Sequence, residues 1–112
     1  MHQSDHTNIE QLTEELDGGA FMARVGRALS EAAAGCVNHR QKGEVTVTFK
    51  IKPIGDSRQV EIDHTVAFVE PTPRGKRTET HTTSTPMYVT SKGKLTLFPE
   101  QVSSDMFRGE EK

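Results

Sequence analysis

Five histidines, a single cysteine and a pair of carboxylates two residues apart are the side chains of this chain best suited to chemistry. His2, His6, His39, His64 and His81 share no Cys or His spacing of a structural zinc site, and no helical His-Glu-x-x-His occurs. His2 and His6 fall in a polar arm, where metal binding would be incidental. His64 stands on the apolar face of an alternating segment. That position suits either a buried base or pH switch, or a histidine at the sheet margin bonded to backbone or to another subunit. The second reading is the simpler one. Cys36 would need a stabilised thiolate to react, yet it lies near a helix C-terminus, where the dipole disfavours an anion, so core packing is expected. Glu61 and Asp63 point the same way, but Lys50 and Lys52 on the neighbouring segment neutralise them. No glycine-rich phosphate loop or nucleophile elbow is present. The expectation is a protein that is not an enzyme and has no metal or cofactor.

The remaining signal is cationic. Arg74, Lys76 and Arg77 surround Gly75, a residue that lets a backbone close on a phosphate, and Arg40 and Lys42 add charge after the long helix. Against nucleic acid stands the face of the sheet, which offers Thr, Lys, Glu and Asp with only Tyr88 able to stack a base. Net charge is −2 with a pI near 6.2, so the whole molecule exerts no pull on nucleic acid or anionic lipid. One cysteine excludes an internal disulfide and suits a reducing cytosol, and no run approaches the ~20 apolar residues of a membrane span. A soluble, cytoplasmic protein is expected.

At 112 residues, with 32% hydrophobic and 5% aromatic content, the chain has material for a thin core only. Residues 1–7 read as a loose arm, 8–99 as one domain and 100–112 as a polar tail. Ile9, Leu12 and Leu16 share one face of a short helix that Gly18-Gly19 interrupts. A second, slim helix follows, with Phe21, Val25, Leu29, Ala32 or Ala33, and Cys36 as its apolar stripe. The period then becomes two. Val45, Val47, Phe49 and Ile51 mark a strand over 44–52, and Val60, Ile62, His64, Val66 and Phe68 mark another over 59–69. Keeping both apolar sets on one face sets Lys50 opposite Glu61 or Asp63. Residues 70–77 read as a long loop, and the threonine-rich 78–85 as an optional edge strand. The stretch "TPMYVTSKGKLTLFPE" forms a hairpin over 87–98, turning on Lys92-Gly93 with Tyr88 opposite Leu97. Apolar residues on both its faces need cover, so Tyr88, Val89, Phe98 and Met87, with His64, are the expected interface of a homodimer or higher oligomer.

The order "ELDGGAF", "GEVTVTFKIKP", "QVEIDHTV", "PRGKRTE" and "TPMYVTSKGKLTLFPE" resembles small uncharacterised proteins of temperate phages and prophages, over roughly residues 16–100. The resemblance implies a bacterial host cytoplasm and an accessory role, and transfers no site residues. The expected fold is α+β, an N-terminal helix broken at Gly18-Gly19 on an antiparallel sheet of four or five strands. The expected function is binding of a host or phage protein, to modulate defence, replication or recombination. Two alternatives stand beside it: a nucleic-acid-binding factor using the basic loop, and a binder of a small anionic ligand such as a nucleotide at an oligomer cleft.

Overall fold

The computed structural model describes residues 6–99; the outer part of the expected arm and the expected tail lie outside them. The first helix, α1, spans Ile9–Glu15, capped by Asn8, whose side-chain oxygen accepts from the Gln11 N–H. Leu12 and Leu16 are buried, but Ile9 is exposed, so only two of the three expected positions reach the core. The break is sharper than two glycines require. Asp17, Gly18 and Gly19 all take left-handed φ values, and the Asp17 N–H donates to Thr85 Oγ1 on a distant strand. That bond pins the kink to the sheet.

Helix α2, Ala20–His39, buries Phe21, Val25, Ala28, Ala32 and Gly35. The expected stripe is therefore rotated. Leu29 is 54% exposed, Ala33 is exposed and Cys36 is half-buried. The cause is close approach. A β-carbon on Gly35 would lie 2.8 Å from the Pro71 carbonyl oxygen, so the helix backbone rests directly on the sheet there. The other flank is held by charge. Arg27 and Glu31 reach across to Glu79 and Arg77.

The sheet is antiparallel with order β1-β2-β3-β4: β1 is Glu44–Pro53, β2 Gln59–Thr72, β3 Gly75–Val89 and β4 Leu95–Thr96. The β1–β2 register sets Lys50 opposite Asp63 and Lys52 opposite Glu61, with a 3.4 Å Lys52–Glu61 ion pair. The segment expected to be a long loop is instead strand on both sides of a Pro73-Arg74 turn, because Thr72 pairs with Gly75 and the ladder runs on to Gln59–Tyr88. Prolines suggested a loop, but each occupies a place a proline can hold. Pro71 lies beyond the end of β1's pairing at Val69, and Pro86 lies on β3 before β4 begins to pair at Tyr88. The polar run 78–85 is thus a full partner of β2 whose other side, among the described residues, is an edge.

The last hairpin is shifted by one residue from expectation. Val89 pairs with Leu95 and Tyr88 with Thr96, closed by a Thr90 N–H bond to the Lys94 carbonyl. The Gly93 N–H returns to the Thr90 carbonyl, and Gly93 has φ +90. This is the three-residue loop that ends on a left-handed glycine, not the two-residue turn. Leu95 N–H also donates to Thr7 Oγ1, tying the beginning of the domain to its last strand.

Candidate interaction surface

His64 and Met87, both expected at an interface, are fully buried in the protomer. His64 Nε2 and Nδ1 lie 2.8 Å from Thr85 Oγ1 and Thr83 Oγ1, and its ring meets Phe21 edge-on with centroids 4.6 Å apart. Burial holds its pKa below the ordinary 6.5, Arg24 pushing the same way while Asp17 and Asp63 oppose. The hydroxyls serve a neutral imidazole, one able to donate to a ring nitrogen and one to accept from the other. Because Thr85 Oγ1 also accepts from Asp17 N–H, the histidine joins the helix kink to β3. Of the other expected interface residues, Tyr88 and Val89 are half-buried and Phe98 is 70% exposed.

The cations of the expected basic loop are divided. Arg77 is committed: it binds Glu70 at 2.6 Å, Glu31 at 2.7 Å and Glu79 at 3.1 Å, and its guanidinium lies 5.2 Å above the Phe68 ring. Hydrogen bonds that it donates to Glu70 and then Glu31 raise its pKa against an opposing desolvation cost. For Glu31, desolvation pulls the pKa up but is outweighed by hydrogen bonds from Arg77 and Arg27, leaving it below its usual value. A guanidinium so occupied clamps α2 to the β2–β3 ribbon. Arg74 sits in the two-residue turn, and Arg40 ends α2 with a left-handed φ of 53°. Lys42 and Lys76 do come together: with Gln41, Gly43, Glu44 and Gly75 they line an open cavity of about 400 Å³ at the base of α2. Among the described residues no three His, Cys, Asp or Glu side chains converge as metal ligands would.

The largest departure from expectation lies on β1. Val47, Phe49 and Ile51 share the helix-side face with Val66, His64 and Ile62, their partners on β2, yet are 40%, 47% and 58% exposed. Geometry explains this. A helix ~10 Å wide spans about two strand spacings of ~4.8 Å, so one helix seated over β2 shelters β2 and leaves its neighbour covered only in part, at Val45 and where Phe21 meets Phe49. Phe49 touches Phe21, with centroids 6.2 Å apart, and beyond that contact the row is open. By helical spacing Leu29 lies on the flank of α2 away from the Arg27–Glu31 flank, that is, on the β1 side. Among the described residues, the outward edge of β1 has no partner strand. The result is an unpaired strand edge bordered by four large apolar side chains. Sequence periodicity identified the β1 row as core; the signal against it was the shortage of apolar residues to build a second helix.

These features define a small α+β domain in which one kinked helical segment half-covers a four-stranded antiparallel sheet. The chain belongs to the YfdP family, whose model matches residues 8–95, from the cap of α1 to the start of β4. It is 43% identical over 100 residues to the uncharacterised protein YfdP of Escherichia coli strain K12, covering 89% of this chain and 82% of that one. No solved structure matches.

Proposed function

We propose that this is a non-enzymatic accessory protein of temperate phages and prophages that acts in the bacterial cytoplasm by protein–protein contact. Its targets would be proteins of defence, replication or recombination. The observation that carries this reading is the exposed row Val47, Phe49 and Ile51 along an open strand edge. Contiguous apolar surface of this kind on a small domain marks an interaction site. Immobilised wild-type protein and its Ile51→Lys variant, incubated with host lysate, test it. Proteins retained by the first and lost by the second are expected; an identical retained set would refute the reading.

A second reading rests on the cavity that gathers Lys42 and Lys76. Two lysines lining one cleft, with Glu44 as the acid beside them, suit a phosphate-bearing ligand, either a nucleotide or a nucleic-acid backbone. Binding to DNA that weakens with salt and disappears in Lys42→Ala/Lys76→Ala supports it. A thermal shift with free nucleotides alone would identify the ligand as small.

A further inference from the structure

We propose that the open edge of β1 and the apolar row beside it form a self-association surface, on which a second copy of this chain seats its own β1 antiparallel. The proposal deepens the protein-contact reading by naming the partner. The strand carries its own complement. Glu44 stands near one end and Lys50 and Lys52 near the other, so only an antiparallel copy sets unlike charges together. With Thr48 opposite Thr48 of the partner subunit, Lys52, already paired with Glu61 in its own protomer, meets Glu44 of the partner subunit twice about the two-fold axis. Lys50 then meets a threonine, Thr46 of the partner subunit. On the other face of the strand, Phe49 lies against Val47 of the partner subunit, and Ile51 against Val45 of the partner subunit. A parallel copy would align lysine with lysine. Isologous contact of one strand with itself is also what a two-fold dimer requires.

The area is adequate. Val47, Phe49, Ile51 and Leu29 leave on the order of 350 Å² of apolar surface open per protomer, as large as the main patch on a typical monomer. A standard interface buries about 800 Å² per partner, a little over half of it apolar, so this row would supply most of that share. The strand edge and its hydrogen bonds would supply polar area. The other edge does not compete. Over 78–85, β3 presents threonines, Ser84, Glu79 and His81 and no large exposed apolar side chain beside its edge.

Size-exclusion chromatography with light scattering, over about 1–100 µM, is the test, because a dimer's population depends on concentration. Wild-type protein is expected to reach about twice the 12.4 kDa of the chain. Val47→Lys/Ile51→Lys is expected to remain at one chain mass with an unchanged circular dichroism spectrum. Phe98→Lys, at the opposite side of the sheet, is expected to dimerise like wild type. In a Cys36→Ser background, Thr48→Cys is expected to form an intermolecular disulfide on oxidation and Thr80→Cys to form none. A monomeric wild type, a dimer that survives the double substitution, or one that Phe98→Lys dissolves would overturn the proposal. A monomeric wild type whose lysate partners are still lost on Ile51→Lys would remove self-association and leave the protein-contact reading standing.

Discussion

Gly35 and Gly26 lie on the same helix, and replacing each with alanine should move stability in opposite directions. In a helix interior, Gly→Ala gains about 1 kcal/mol from backbone entropy and helix propensity. At Gly26 nothing lies within 4 Å of the new β-carbon, so that gain is expected in full. At Gly35 the new carbon would sit 2.8 Å from the Pro71 carbonyl oxygen, 2.8 Å from Glu70 Cγ and 3.0 Å from Pro71 Cδ. The Glu70 methylene can turn aside. The Pro71 backbone cannot, because it is paired to Lys76 in the β2–β3 ribbon. The helix must then lift, loosening Ala32 and Ala28 on the same stripe. Overpacking of this kind costs about 1–3 kcal/mol, which outweighs the propensity gain and leaves a net loss of about 1 kcal/mol. At roughly 4–8 °C per kcal/mol for a domain of this size, Gly26→Ala should melt several degrees above wild type and Gly35→Ala several below. Thermal and urea denaturation followed by circular dichroism, at one protein concentration, measure both. Gly35→Ala melting at or above wild type while Gly26→Ala rises would refute the seating of α2 on Pro71. The exposure of the β1 row would then lose its physical reason.

The remaining predictions concern the groups that hold the helix and the kink. Because burial depresses the His64 pKa, the folded state disfavours its charged form, whereas the unfolded chain takes up the proton near 6.5. The stability this preference contributes is present above about pH 6.5 and is lost as pH falls toward the folded value, so the urea midpoint should decline between pH 7.5 and 5.5. A His64→Asn variant should be less stable by about 1–3 kcal/mol at neutral pH, with that decline flattened. Thr85→Val removes the acceptor for Asp17 N–H and should also cost about 1–3 kcal/mol, read from the same midpoints. Arg77→Ala should lower the midpoint, and high salt should shrink the difference from wild type, because the network is solvent-exposed. Arg77→Lys should restore only part of the loss, since an ammonium cannot bridge Glu70, Glu31 and Glu79 with a planar fork. Affinity for DNA unchanged by Arg77→Ala is the companion outcome; a large loss would mean that the guanidinium leaves its carboxylates to bind ligand.

Local chemistry alone determined the helix–strand–strand order, the break at Gly18-Gly19 and the pairing of Lys50 and Lys52 with acids, since periodicity and charge act between near neighbours. It also determined that apolar material is scarce. What it could not determine is where that scarcity would be felt. Prolines at 71 and 86 read as breaks because their tolerance depends on whether a neighbouring strand reaches that far, a fact of sheet topology. The hairpin shift of one residue turns on whether Gly93 closes a two- or a three-residue loop, which one dipeptide satisfies equally. Arg77 looked available because the glutamates that occupy it come from α2 and two strands. His64 looked marginal, and the kink that donates to its Thr85 partner lies far away along the chain. Above all, Val47, Phe49 and Ile51 have the alternation of a buried face, and only the tertiary arrangement leaves them open. One helix, seated on β2 by Gly35 and linked to β3 through the long side chains of Arg27 and Glu31, covers β1 only in part.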